Sequence, residues 1–594
     1  MKNKVLKWLA GFSLVFFLFA SCENSISNKA AASGDTLSAG RAIVNGIDSN
    51  EDPSGVMLQG FNWSSADRND SSTYYKWYNV VISRANDIKN TFEYVWFPPP
   101  STSPDFAPEG YIPTELNDLN SRYGTKTQLK QAINAIKPAK AIADIVINHR
   151  GGSTSWGDFR NPQWTGDYYS ICYGDEGFTN PSSPMYNSTA RGAADTGENY
   201  ADARDIDHTS TTVQNGIITW MSDVLKSDAG FVGWRYDFVK GFGGQYVGKY
   251  NAQTSAVFSV GEFWPTNTFN QNDTANWKNQ LMNWVNSTTQ NSGQKSRVFD
   301  FVLKGNMNYA FGWGSQSTLW NLSRLADSNN IFRTAPASAV TFIDNHDTGS
   351  TQKHWEIDPG DLAPAYAFIL THPGYPCVAW QHYFSASECG VTSNSANVAQ
   401  YRGGDTVPGT SKTFKQHINY LIDLRKDQGI RYDSAITVLA ATTTNYAARI
   451  TGTDGEIVVK IGGDNWSPTG TGYTGNSPIY SGTNFAVWVK DGGGTATTVT
   501  LKMAKDVGYG NGLYFTGSYN EGSNWTVATR GTYDNAGYWY VTVTPPSNGN
   551  FEWKVLKGAY SLGETVTGNF SGLTWESGSN HNQSNLFPSF NGGF

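Results

Sequence analysis

The sequence predicts an α/β chain: a βα barrel over residues 53–428, an excursion inserted at about 150–207, and two small β domains at 429–492 and 493–594. Three observations carry this prediction. Strand-like apolar runs alternate with helical stretches as far as about residue 428, and that alternation implies a parallel sheet wound into a barrel. A Gly- and Asp-rich interval between "DIVINH" and Val213 is too long for an ordinary βα loop. From about residue 429 the pattern turns to short β runs, first "EIVVKIGG" and "NFAVWVK" and then, beyond "DGGGTATT", "LYFTGS", "YWYVTVTPP" and "FEWKVLKG".

Taken in order, the N-terminus "MKNKVLKWLAGFSLVFFLFASCEN" places Lys2, Lys4 and Lys7 before an apolar run that ends in small residues. That is the layout of a secretory signal over residues 1–22, so export is expected; the run is short and early for a membrane span. Cys22 follows "FAS" and resembles a bacterial lipobox, which favours lipid attachment at Cys22 and a cell-surface lipoprotein, with secretion into the medium as the alternative. With Cys22 acylated, Cys172, Cys377 and Cys389 remain and allow at most one intramolecular disulfide. Residues 23–52 are small and polar and read as a tether. The strand runs of the barrel are "GVMLQGF", "EYVWFP", "AIADIVIN", "GFVGWRYDF", "VFSVGEF" and "AVTFIDN". Continuous apolar runs of this kind suit strands buried on both faces.

Composition narrows the partners. The 594 residues carry a net charge of −7 and no basic stripe, which argues against a nucleic acid. Charged residues make up 16% while Trp, Tyr and Phe number 21, 31 and 31, a balance that suits uncharged ligands able to stack on rings. No EF-hand spacing, HExxH or P-loop pattern occurs. A monomer is expected.

The polar residues that end the strands carry the chemistry, because the C-terminal strand ends of a βα barrel are where its active site lies. Four of these ends are polar: "DIVINH" (Asp144, Asn148, His149), "GWRYDFVKG" (Arg235, Asp237, Lys240, Gly241), "VGEFW" (Glu262) and "FIDNHD" (His346, Asp347). Singly, each could cap a helix or pair with an arginine. Together they bring carboxylates to one barrel mouth.

With these motifs the chain strongly resembles glycoside hydrolase family 13, the α-amylase family, and within it the plant-type enzymes and similar bacterial ones. The resemblance covers about residues 53–490 through "LQGFNW", "VWFPPPS", "EGYIPTELNDLNSRYGT", "DTGENYADARDIDH", "GWRYDFVKGF", "FIDNHDTGSTQ", "AYAFILTHPGYPC" and "NFAVWVK". It implies a (β/α)8 TIM barrel with a calcium-binding B domain inserted and an antiparallel C domain behind it. It implies Asp237 as nucleophile, Glu262 as acid/base and Asp347 as the group that grips the distorted sugar, since breaking an acetal with retention takes a proton donor and a carboxylate nucleophile. Arg235, on the same side of the strand, is expected to lower the pKa of Asp237, and Phe263 and Trp264 to desolvate Glu262 so that it keeps its proton. By resemblance His149 and His346 donate hydrogen bonds to the sugar, Tyr111 stacks beneath it, and Lys240 contributes on the leaving side. The Lys240-Gly241 pair, where many members have Lys-His, matches the plant-type subgroup. The same resemblance implies Ca2+ held by Asn148, Asp195 and Asp205 with backbone oxygens near Glu198 and Gly241, a donor set that suits a hard cation.

The terminal segment resembles a starch-binding domain of carbohydrate-binding module family 20. That match implies one glucan site at Trp525, Lys554, Trp575 and Asn580 and a second at Tyr509, Tyr533 and Trp539, with Trp553 in the core. The expected activity is hydrolysis of internal α-1,4 bonds of starch and maltooligosaccharides with retention. Exo attack releasing a fixed maltooligosaccharide, glucanotransfer on the same scaffold, and a surface glycan-binding protein without catalysis are the alternatives. The intact set of Asp237, Glu262 and Asp347 speaks against the last.

Overall fold

The computed structural model describes residues 51–594 apart from 67–75, 156, 313–319, 392–394, 470–476, 491–498, 520–524, 534–536, 544–550 and 583–593. Cys22, the signal segment and nearly all of the tether lie outside the described residues.

Eight parallel strands close into a barrel: β1 Met57–Gln59, β2 Tyr94–Phe97, β3 Lys140–Ile145, β4 Gly233–Tyr236, β5 Ser259–Gly261, β6 Arg297–Phe299, β7 Ala339–Phe342 and β8 Tyr375–Ala379. They neighbour one another in chain order, and β1 pairs with β8 through Met57 and Cys377 to shut the ring. Nearly every strand residue is buried, because helices cover the outside while Trp96, Phe299 and Phe342 fill the inside edge to face. Two of the strands, β6 and β8, are absent from the six runs read in the sequence.

The first helix after β2, Lys126–Ala135, starts in a capping box: Thr125 accepts from the Gln128 N–H while the Gln128 side chain accepts from Thr125 N. The excursion after β3 is irregular. Its regular parts are a two-stranded ribbon, His149–Arg150 against Arg204–Asp205, and a 3-10 turn at Glu176–Phe178. Arg204 ties these together through ion pairs with Asp175 and Glu176. Cys172, Cys377 and Cys389 are buried thiols, and no disulfide joins Cys377 to Cys389.

Below the first β1 turn, at the strand-start end of the barrel, Arg297 of β6 forms a buried bidentate pair with Glu51 at 3.0 and 2.7 Å and lies over the rings of Phe258 and Tyr375. Behind the barrel, Ala435–Ala441, Tyr446–Thr451, Glu456–Ile461, Phe485–Val489 and Tyr480–Gly482 form one antiparallel sheet in that order. The terminal segment adds two antiparallel sheets around a core containing Leu513, Phe515, Trp539, Trp553 and Val555. Among the described residues no helix is long and apolar enough to cross a membrane.

Candidate active site

The site begins with the polar residues at the end of β7. Asp344 is buried and pairs with Lys304 at 2.7 Å, while Asn345 folds the turn by accepting from the N–H groups of Asp347 and Thr348 at 3.0 and 2.8 Å. This turn sends His346 and Asp347 into the mouth. Gln59 at the end of β1 donates to His346 Nδ1 at 2.9 Å, which leaves the Nε2 proton directed at Asp347 Oδ2, 3.3 Å away. Burial, then the nearby Arg235, hold His346 well below its usual pKa, so it is a neutral donor.

Arg235 of β4 organises the carboxylates. Its Nη1 lies 2.8 Å from both Asp144 Oδ1 and Asp237 Oδ1, and its Nη2 lies 2.7 Å from Glu262 Oε2. The strand pleat explains this: Arg235 and Asp237 are two residues apart, and β3 and β5 flank β4 with Asp144 directly opposite Arg235. Trp96 Nε1 and the Tyr111 hydroxyl donate to Asp144 Oδ2 at 3.0 and 2.9 Å.

Arg235 lowers the pKa of Asp237, as expected, but does not decide it. Burial outweighs Arg235, whose single charge is divided among three carboxylates, and Asp144 adds repulsion, so Asp237 is pushed up to about 6. Glu262 is raised by burial and by the charge of Asp237, again against Arg235. A hydrogen bond between the two lowers Asp237 and raises Glu262, as a protonated Glu262 donating to an ionised Asp237 would do. Withdrawal from solvent, then the charge of Glu262, raise Asp347 well above its ordinary value.

Rings line the opposite side of the mouth. Tyr111 lies parallel to His346 at 5.2 Å and to Trp63 at 6.1 Å. His149 departs from its expected role. Its Nε2 donates to the Tyr111 carbonyl at 2.8 Å, its Nδ1 faces the Asn148 amide at 3.3 Å, and Tyr200 covers the ring at 3.7 Å. With both nitrogens engaged, His149 braces Tyr111 and Asn148 and has no proton left for a sugar. Gln59, Trp63 and Trp96 were not assigned as site residues from sequence, although all three lie in stretches that carry the family resemblance, and Asp144 was named among the polar strand ends without a role.

The proposed cation ligands converge behind His149. A Cβ on Gly241 would lie 2.0 Å from Asn148 Oδ1, and one on Gly197 would lie 2.4 to 2.6 Å from the Gly241 carbonyl carbon and the Lys240 and Gly241 oxygens. Asp195 Oδ2 is buried without a hydrogen-bond partner, while Oδ1 accepts from Thr196 and Gly197. Burial, with repulsion from Asp195, pushes Asp205 up to about 8. An orphaned carboxylate oxygen beside a second crowded carboxylate, an amide oxygen and backbone carbonyls is a donor set that fits a hard cation. The side chain of Glu198 points elsewhere: Oε2 accepts from Thr266 and lies 3.5 Å from Lys240 Nζ. Among the described residues no three His, Cys, Asp or Glu side chains alone form a metal group.

In the terminal segment Trp525 and Trp575 lie 6.3 Å apart at 37°, Lys554 donates to the Gly578 carbonyl and Asn580 to Glu552 at 3.0 Å. Trp553 is in the core as expected, and Tyr509 is fully exposed. Trp539 corrects the second expected site. It is 4% exposed and its Nε1 donates to the Lys505 carbonyl, so it packs beneath Tyr533 and offers no open face.

Comparison with known proteins agrees with this geometry. The family model "Alpha amylase, catalytic domain" matches residues 81–379, and "Alpha-amylase C-terminal beta-sheet domain" matches residues 427–489. No carbohydrate-binding module family 20 model matches. The chain is 34% identical to probable alpha-amylase 2 of Arabidopsis thaliana, over 77% of this chain and 97% of that one. It is 27% identical to the glucan 1,4-alpha-maltotetraohydrolase of Stutzerimonas stutzeri, over 84% of this chain and 87% of that one. Among solved structures, the γ-CGTase of alkalophilic Bacillus clarkii superposes with a TM-score of 0.51 at 15% identity over 92% of this chain and 100% of that one, which speaks to the fold alone. The chain therefore belongs to the α-amylase family, glycoside hydrolase family 13, and is a glycoside hydrolase of the α-amylase type.

Proposed function

We propose that this enzyme hydrolyses internal α-1,4-glucosidic bonds of starch and related glucans with retention of configuration. The observation that carries the reading is that one guanidinium holds both carboxylates side by side, Asp237 Oδ1 at 2.8 Å from Arg235 Nη1 and Glu262 Oε2 at 2.7 Å from Nη2. Inverting pairs stand ~6.5–9.5 Å apart to admit a water, whereas a retaining pair is closer. In this reading Glu262 gives its proton to the departing oxygen while Asp237 attacks the anomeric carbon. The glycosyl ester is then hydrolysed by a water that Glu262 deprotonates. Asp347 and the neutral His346 hold hydroxyls of the distorted sugar, and Tyr111 with Trp63 supplies the ring platform. Asn148, Asp195, Asp205 and the Gly241 carbonyl would hold Ca2+, which when bound neutralises the crowded carboxylates and pins the excursion to the barrel.

The match to a maltotetraohydrolase over most of both chains favours exo release of a fixed oligosaccharide as the second reading. A product time course on soluble starch separates them: mixed fragments early in the reaction support endo attack, and a single dominant oligomer from the first minutes overturns it. Trp525 beside Trp575, with Lys554 on the neighbouring strand and Asn580 hydrogen-bonded to Glu552 of that strand, supports a starch-binding role for the terminal segment. Anchoring of the exported protein through Cys22 is part of the same proposal, and changing Cys22 to Ser would release the protein from the membrane fraction.

A further inference from the structure

Lys240 follows Asp237 by three residues, and its ammonium is held at two points. Nζ donates to Thr266 Oγ1 at 2.7 Å and lies 3.5 Å from Glu198 Oε2, while the Thr266 hydroxyl donates to that same carboxylate oxygen. The three side chains close a ring drawn from three separate segments: the loop after β4, the loop after β5 that begins at Glu262, and the excursion. Two more hydrogen bonds fix the same junction, one within the backbone from Glu198 N to the Lys240 carbonyl at 3.0 Å and one from Gly243 N to the Thr196 hydroxyl oxygen at 3.0 Å. Gly197 packs too closely on Gly241 for any side chain to intervene. Phe238, which lies under the ammonium at 5.1 Å, has φ +44°, and for a bulky residue that strain marks a turn fixed by its surroundings.

We propose that Glu198 and Thr266 are positioning residues that clamp Lys240 and so set the enzyme's affinity for the leaving-side sugar. The proposal rests on the assignment of Glu262 as the acid. Thr266 lies on the loop that follows Glu262, so a sugar whose oxygen takes that proton departs past Thr266 and Lys240. In the barrel order, β5 stands across the mouth from β1, whose following loop carries Trp63 of the Trp63 and Tyr111 platform. An ammonium has three N–H donors; Thr266 takes one, Glu198 holds the charge at 3.5 Å, and a donor remains for a hydroxyl. A lysine held in advance loses less rotamer entropy when the sugar binds. The Glu198 carboxylate also cancels the Lys240 charge, which suits a neutral ligand.

The test measures kcat and KM on maltoheptaose, together with the product distribution, with excess calcium chloride throughout. Glu198→Ala and Thr266→Val are each expected to raise KM about two- to fivefold, the factor a partly exposed ion pair supports, to change the product ratio, and to leave kcat and the pH profile close to wild type. Glu198→Gln keeps an acceptor oxygen and should recover most of the affinity. The double variant should be little worse than either single one, because each breaks the same clamp. Unchanged KM and products in both single variants overturn the proposal. So does a parallel fall in kcat and thermal midpoint, which would make the ring a structural brace. Wild-type enzyme inactive on maltoheptaose overturns the hydrolase reading itself; an active wild type with indifferent variants overturns the clamp alone.

Discussion

Arg235 stands against three carboxylates, and the consequences are local and measurable. Asp237 must be ionised to attack and Glu262 protonated to donate, so the pH dependence of kcat/KM follows their joint titration. Asp237 is raised to about 6 by burial. The acid limb is therefore expected near pH 6, activity falling as pH drops through that value and the nucleophile takes up a proton. Asp237→Asn removes the nucleophile and should cost at least 10²-fold in kcat, while binding to starch granules persists. A pH profile on maltoheptaose checks the first statement, and an acid limb below pH 4 would refute it. At this scale the sequence was informative about which residues meet, because strand ends and the period of two place Arg235, Asp237 and Glu262 together. It was uninformative about the balance of forces. Whether the lowering by Arg235 outweighs burial depends on how many other carboxylates share it, and Asp144 comes from a strand some 90 residues earlier, a distance no local pattern spans. His149 failed for a similar reason: Tyr200, which covers it, lies on the irregular excursion.

Single elements show where periodicity stops being legible. β6 is three residues, Arg297–Phe299, and begins with a charged side chain; β8 contains Pro376, which has no ladder donor and so argues, in sequence, against an interior strand. Both are strands because their neighbours in a closed ring require them, while the charge of Arg297 and the ring of Pro376 interrupt the apolar signal that would announce them. The helix Phe301–Phe311 behind β6 is likewise buried on almost all sides, so no amphipathic stripe marks it. Its start depends on Asp300, which accepts from Leu303 N and from Phe332 N at 2.9 Å each. Asp300→Ala is expected to lower stability by about 1–3 kcal/mol, from a lost cap and two buried N–H groups without partners. Urea unfolding at fixed pH measures it, and a change within error would show that water replaces the carboxylate. The same helix carries Lys304, the partner of Asp344, so part of that loss should also reach the turn bearing His346 and Asp347.

Across the whole molecule the barrel mouth holds every proposed catalytic group, whereas Trp525 and Trp575 lie in the trailing sheets. Truncation after residue 492 is expected to leave hydrolysis of soluble maltooligosaccharides nearly unchanged and to cut activity on raw granules, since a tethered second site can raise avidity about 10²-fold. Granule pull-down of full-length and truncated protein decides it, and equal retention of both would refute it. Chelation should lower the melting temperature of the barrel and excursion, because metal binding adds to the stability of the folded state alone; an unchanged midpoint after verified metal removal would take the cation out of the account. The barrel and the sheet behind it were legible from sequence because their apolar runs are long and in order. The orientation of Trp539 was not, since an aromatic on a strand reads the same whichever side its sheet buries. The pair between Glu51 and Arg297 lies at the floor of the barrel, at the opposite end of the strands from Asp237 and Glu262. A substitution at Glu51 therefore strips a buried guanidinium of its carboxylate at the floor while Arg235 at the rim keeps all three of its own.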